Sequence, residues 1–170
     1  MGCMDGKTGL VVGIANDRSY AWFIAESIIR EGGTCLFTHL PGDKMERRAR
    51  KAIESLGVED PWLAPMDAST DESLDEAFAA IAQKTDTLDF LVHSIAFADK
   101  DWLKEGKFTA TPREVFTQAM DISAWTYMAM ANRALPMMSD GGSMLAMSYY
   151  GAEKAVPGYN VMGVAKAALE

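Results

Sequence analysis

The chain has 170 residues, enough for one compact domain with a sizeable core, and its 49% apolar and 24% charged content is ordinary for a globular protein. Sixteen Lys and Arg against 24 Asp and Glu leave a formal charge of −8, which argues against a general nucleic-acid or anionic-membrane binder, because both need an excess of positive charge. Cys3 and Cys35 make no CxxC pair, and with only two histidines the sequence excludes a Cys/His zinc site and a disulfide framework; no metal is expected, and a reducing compartment is. The most apolar stretch, 119–138, is broken by Asp121, Asn132, Arg133 and Pro136, so no membrane span is expected. No signal-peptide core is present, and Gly6 stands where myristoylation needs Ser or Thr, so the chain reads as cytoplasmic.

Short apolar runs alternate with longer amphipathic ones. The runs at 8–13, 34–38, 61–66, 88–93 and 142–148 read as strands buried on both faces. Between them, 20–31 reads as a helix stopped by Gly32-Gly33, and 43–56 as a helix rich in Lys and Arg. Ser69-Thr70-Asp71-Glu72 fits a capping box before Leu74, Ala77, Phe78 and Ile81 at helical spacing. Thr111-Pro112-Arg113-Glu114 fits a second, with Pro at the first helical position. A methionine-rich helix follows, whose Met120, Met128, Met130, Met137 and Met138 suit core packing or a subunit interface, and a last helix is expected over 157–170. The pattern predicts an α/β fold, a Rossmann-like doubly wound parallel sheet of five strands forming a single dinucleotide-binding domain over 1–170. Such sheets carry ligands beyond the carboxyl ends of their strands, so chemistry is expected just after each strand.

Gly13 ends the first strand and Ser19-Tyr20 opens the next helix, a turn whose free amides can bind phosphate; Ser19 is expected to cap the helix as well. His39, at the end of the second strand, has little claim to catalysis and suits the ligand's adenosine end. Asp67-Ala68 follows the third strand, where Asp67 can accept from an adenine amino group or simply close a turn. After the fourth come His93, read as a hydrogen-bonded, partly buried histidine, and the small-residue stretch Ser94-Ile95-Ala96-Phe97-Ala98, which lets backbone approach a planar ligand.

The final segment is the most informative. Tyr159 and Lys166 are seven residues apart, which on a helix leaves them about 20° out of register on one face. The amine can hold a ribose hydroxyl and the phenol can donate to an oxygen that becomes anionic, with Tyr149 within reach of the same place. A rival pair, Tyr150 and Lys154, has the Y-x-x-x-K spacing of carbonyl reductases, but Gly151 and Pro157-Gly158 argue for a loop there, and Met137 stands where those reductases place a serine.

Taken together, GIANDRSYAW (13–22), LVHSIAFA (91–98), MDIS (120–123) and SYYGAEKAVPGYNVMGVAKAALE (148–170) resemble the NAD(P)H-dependent enoyl-[acyl-carrier-protein] reductases of bacterial fatty-acid synthesis, members of the short-chain dehydrogenase superfamily. The resemblance implies that Gly13, Ser19, Tyr20, Leu40, Asp67, Ala68, Ser94, Ile95 and Lys166 bind NADH or NADPH, with NADH favoured. It implies that Ala98, Tyr149 and Tyr159 meet the substrate, and that Tyr149, Tyr159 and Lys166 are catalytic. The implied substrate is an enoyl thioester on acyl carrier protein or coenzyme A, its trans-2 double bond reduced, and the implied assembly is a homotetramer without nucleic acid or membrane. Three features depart from the family pattern. Phe23 stands where a glycine is usual and is expected to push the first helix outward or to point into open space. Leu40 replaces a polar group near the ribose. The family continues past the position of Glu170 with two strands and a helical flap, so the chain reads as a fragment or a truncated relative. Alternatives are a 3-oxoacyl reductase using Tyr150 and Lys154, and a non-catalytic nucleotide-binding fragment.

Overall fold

A computed structural model describes residues 2–170 of the chain, which form two compact units: one of residues up to Ser94 together with Ala131–Leu145, the other of Ile95–Met130 and Ala146–Glu170. The first unit is built on a sheet of order β3-β2-β1-β4-β5, with β1 Thr8–Val12, β2 Thr34–His39, β3 Leu63–Pro65, β4 Phe90–His93 and β5 Ser143–Ala146. The ladders among β1 to β4 are parallel, Leu10 lying opposite both Leu36 and Leu91. The central strands are apolar and buried on both faces, as a sheet covered by helices on either side requires. Those helices are α1 Tyr20–Arg30, α2 Asp43–Glu54 and α3 Asp71–Lys84.

One core cluster joins Val11, Phe37, Phe90 and Val92 to Ala21 and Ala25 of α1 and to Ala52 and Ile53 of α2. Trp22 fastens α1 to α2 by donating from Nε1 to the Ala52 carbonyl at 2.7 Å. Gly9 is required by close approach: a Cβ there would come within 2.3 Å of the Phe90 ring. Cys35 is sealed in this core, and burial pushes its thiol up to about 12, out of reach of thiolate chemistry. Phe23 does not press on the sheet. Its ring is 52% exposed and stands edge-on to Trp22 at 5.0 Å, so the larger residue is accommodated on the outer face of α1.

Two caps differ from expectation. At α3 the cap is Thr70, whose Oγ1 accepts from the Ser73 amide, while Ser69 is drawn into a turn closed by Asp67. At α4, Arg113–Met120, Pro112 is the N-cap, and Thr111 Oγ1 instead donates back to the Phe108 carbonyl at 2.7 Å. The long methionine-rich helix is also not continuous. A π-turn at Asp121–Trp125 separates α4 from α5, Thr126–Ala134. Met130 and Met138 are buried, whereas Met128 is 62% exposed. The last helix, α6, runs Asn160–Leu169, three residues shorter at its start than the sequence suggests. Among the described residues no helix is long and apolar enough to cross a membrane.

Candidate functional site

In the first unit the parallel strands bring Gly13, Leu40, Asp67 and Ser94 to the carboxyl edge of the sheet, and the order β2-β1-β4 puts the reversal of strand order beside β1. Gly13 leaves β1 with φ of +111°, a conformation that side chains resist, so glycine is needed for this turn. Ser19 is the residue before α1, but its hydroxyl does not cap the helix. It turns back to accept from the Ala15 and Asn16 amides at 3.1 and 3.2 Å, bracing the loop. No side chain caps the α1 N-terminus, which keeps its first amides and the partial positive charge of the helix end open to an anion. Tyr20 stands 75% exposed at this end.

Leu40 is exposed just past β2, next to His39, whose Nδ1 donates to the Leu40 carbonyl at 2.8 Å. Asp67 takes the turn role in this structure: its Oδ1 accepts from the Ser69 amide and hydroxyl at 3.0 and 2.7 Å, and its own amide donates to Ser73 Oγ. The neighbouring Ala68 is buried. Ser94 extends the ladder beyond β4 by donating to the Val12 carbonyl at 3.0 Å, while His93 is buried in the core.

In the second unit Tyr159 and Lys166 are positioned by different devices, and Tyr149 packs against the first of them. Tyr159 is not inside a helix, as its spacing from Lys166 suggests. It is the residue before α6, and Asn160 after it has φ of +41°, so the ideal two-turn alignment does not apply. Its ring is instead held by contacts, edge-on to Tyr149 with centroids 4.8 Å apart and against the backbone of Gly151. A Cβ on Gly151 would lie 2.4 Å from Tyr159 Cδ1, so only glycine leaves this seat for the ring. Burial, together with the Tyr149 phenol, pushes the Tyr159 hydroxyl above its ordinary titration, so it is a protonated donor at neutral pH. Lys166 is only 5% exposed and donates from Nζ to the Met147 carbonyl at 2.5 Å. Burial draws its amine below the usual lysine range. One of its three N–H donors is spent on Met147, so the geometry fixes the amine while leaving donors for another partner.

Tyr150 and Lys154, the rival pair, lie on a 3-10 turn at Tyr150–Ala152 and the bend after it. Tyr150 is 61% exposed, and Lys154 is exposed too. Ile95 and Ala98 are half-buried on the loop 95–99. A residue the sequence reading did not single out governs that loop: Ser123, fully buried on the π-turn, accepts from the Phe97 amide at 2.9 Å and donates to the Phe97 carbonyl at 3.1 Å. The signal was present in the MDIS segment, but a lone serine in a helical pattern carries no mark of a π-turn. Among the described residues no group of three or more His, Cys, Asp or Glu could hold a metal.

Comparison with known proteins bears on both units. The profile of the family described as enoyl-(acyl carrier protein) reductase matches residues 13–170. Enoyl-[acyl-carrier-protein] reductase [NADH] 1 of Rhizobium meliloti is 45% identical over 170 residues, covering 99% of this chain and 61% of that protein. The NADH-dependent FabI reductase of Bacillus cereus is 42% identical, covering all of this chain and 66% of its own length. Among solved structures, the Anaplasma phagocytophilum reductase in complex with NAD superposes with a TM-score of 0.92 at 44% identity, over 99% of this chain and 64% of that one. The Bacillus cereus reductase with NADP+ and an indole naphthyridinone gives 0.94 at 41% identity, over 99% and 65%. The chain thus spans just under two thirds of the length of these relatives.

Proposed function

Because the chain belongs to the enoyl-(acyl carrier protein) reductase family, we propose that it is the dinucleotide-binding and catalytic portion of an NADH-dependent reductase acting on the trans-2 double bond of an enoyl thioester in fatty-acid elongation. The observation that carries the reading is the second unit's arrangement: a protonated phenol seated on Gly151 beside Tyr149, and a buried amine fixed on the Met147 carbonyl seven residues along the chain. The first unit supports it with a glycine turn at φ +111° and a helix N-terminus that no side chain caps, features that suit a pyrophosphate. When bound, the dinucleotide supplies a hydride for the β-carbon of the enoyl group.

The protein's own part is electrostatic and positional. Tyr159 donates a hydrogen bond to the thioester oxygen, where negative charge develops as the double bond is reduced. Its raised pKa keeps the proton on the phenol across the neutral range. Tyr149, packed edge-on, limits the ring's rotation. Lys166 offers its remaining donors to the nicotinamide ribose and adds positive charge near the developing oxyanion. Gly13, Ser19 and Tyr20 take the phosphates and neighbouring ribose, Leu40, Asp67 and Ala68 the adenosine end, and Ser94 and Ile95 the nicotinamide side, with Ala98 bordering the acyl chain. Asp67 brings its second carboxylate oxygen to this role, since the first is bound to Ser69. NADH is preferred over NADPH in this reading, supported by the NADH dependence named for the curated relatives. A cytoplasmic homotetramer completes it, with exposed Phe116 and Met128 of the second unit as apolar surface for association.

Consumption of NADH with crotonyl or longer enoyl thioesters tests the function. Tyr159→Phe is expected to lower kcat far more than it weakens cofactor binding, and Lys166→Ala mainly to weaken binding. Turnover of 3-oxoacyl but not enoyl thioesters would transfer the chemistry to Tyr150 and Lys154, and cofactor binding with no turnover would leave a nucleotide-binding fragment.

A further inference from the structure

Tyr159 lies between two residues in left-handed conformations, Gly158 at φ +77° and Asn160 at φ +41°. Both face one short stretch of the same unit. A Cβ on Gly158 would meet the Leu103 carbonyl oxygen at 3.2 Å, and the Asn160 side-chain amide donates to the Trp102 and Lys104 carbonyls at 2.7 and 2.8 Å. Three successive carbonyls, 102 to 104, are therefore gathered onto the turn that carries the phenol.

Asparagine is the side chain that suits this place. It tolerates positive φ better than most residues, and its NH2 supplies two donors for two acceptors. Aspartate would set a carboxylate against two carbonyl dipoles. Glycine would keep the backbone and lose both bonds. The amide is not spent on the helix it begins, since α6 has no side-chain cap. The loop it grips has its own internal ties, the Trp102 amide to the Asp99 carbonyl at 3.0 Å and the Asp101 amide to Asp99 Oδ1 at 2.9 Å, so it is a formed element to be anchored against.

We infer that Asn160 is a positioning residue, which anchors the Tyr159 turn to the 102–104 loop and so sets where the phenol stands. The inference rests on the reading of Tyr159 as the donor to the thioester oxygen. Any displacement of the 102–104 loop moves Tyr159 with it, which links occupancy of the loop following Ala98 to the placement of the phenol.

The test uses the full chain with its tyrosines labelled by carbon-13 at Cζ, Tyr159→Phe identifying the Tyr159 resonance. In Asn160→Gly and Asn160→Asp that resonance is expected to leave its wild-type position and its phenol to titrate closer to an ordinary tyrosine, as contact with Tyr149 and burial are lost. Tyr20 and the thermal midpoint serve as controls for an intact fold. Acidifying Asn160→Asp is expected to move the resonance part of the way back towards its wild-type position, because the protonated carboxyl regains one of the two bonds, whereas Asn160→Gly does not recover. The proposal is overturned if Asn160→Gly keeps the wild-type resonance, or if Asn160→Asp ignores pH; should the aspartate variant fail to fold, the glycine variant decides. The resonance reads the phenol's place without turnover. In the NADH assay kcat is expected to fall about tenfold in Asn160→Gly, with the KM for NADH held within about twofold. Failure of the underlying reading looks different: Tyr159→Phe would leave NADH consumption unchanged whatever Asn160 does.

Discussion

The two units hold themselves together by different means. The first relies on area. Leu10, Val11, Phe37, Leu91 and Val92 are almost wholly buried in parallel ladders, and the helices close over them with small residues such as Ala21 and Ala25. The second buries a smaller apolar set on its helices, with Ala119, Met130, Val161 and Ala165 fully covered, and sets its loops by individual polar clips, Ser123 on Phe97, Asn160 on Trp102 and Lys104, and Lys166 on Met147. Apolar area tolerates volume-conserving exchange and sets stability; a clip is directional, and its loss shifts one loop. The chemistry proposed for Tyr159 and Lys166 falls in the part where loops are set bond by bond.

The sharpest way to break the contrast is a large-to-small change in the apolar half. Phe37→Ala should cost about 3–5 kcal/mol, read as a lower denaturant midpoint, and lower activity only through the folded fraction. A matching insult in the other unit, Gly151→Ala, places a methyl 2.4 Å from the Tyr159 ring. Because the ring can swing away, it should cost only about 1 kcal/mol of stability yet lower kcat roughly a hundredfold. If Gly151→Ala instead costs several kcal/mol of stability while kcat per folded molecule is unchanged, the division between area and clips is wrong.

How much of this was legible follows the same line. The central strands announce themselves because burial on both faces writes runs of Leu, Val and Phe into the sequence; the edge strands β3 and β5 are not so buried, Leu145 being 59% exposed, yet the strand bounds agree with the structure to within a few residues. The residues at the carboxyl edge, Gly13, Leu40, Asp67 and Ser94, followed from parallel order alone. Tyr159 and Lys166 were singled out by spacing, but the helical geometry assumed behind that spacing does not hold, since a positive φ at Asn160 follows Tyr159 and α6 begins only after that tyrosine. Thr111 and Ser69 carry capping signatures and bond elsewhere, because a neighbouring residue reached the free amides first or a turn claimed the hydroxyl. Ser123 was invisible because a buried clip has no period.

Smaller effects sharpen the comparison. Ser123→Ala should cost about 1–2 kcal/mol and loosen the loop at Phe97, detected as faster amide exchange there, with kcat reduced more than the stability change accounts for. Smallest is the effect of one of the first unit's ionic ties. Asp89 accepts from Lys7 Nζ and from the Thr8 amide, both at 2.8 Å, and these bonds hold its carboxyl below the ordinary range. Its folded pKa is depressed, so its stabilisation is complete above the unfolded carboxyl pKa near 3.8 and disappears as pH falls through the folded value. Asp89→Asn should lower the thermal midpoint slightly at neutral pH and flatten that acid limb.

The π-turn at Asp121–Trp125 acts as a splice. It takes up one residue more than an α-turn, which resets the rotational phase between Phe116 and Ala119 on one side and Ala129 and Met130 on the other. Removing a single residue from this stretch would turn the two segments by about 100° against each other and carry Ser123 off its loop. The helix therefore has a fixed residue count at this point, and length variation within it should be far rarer than substitution.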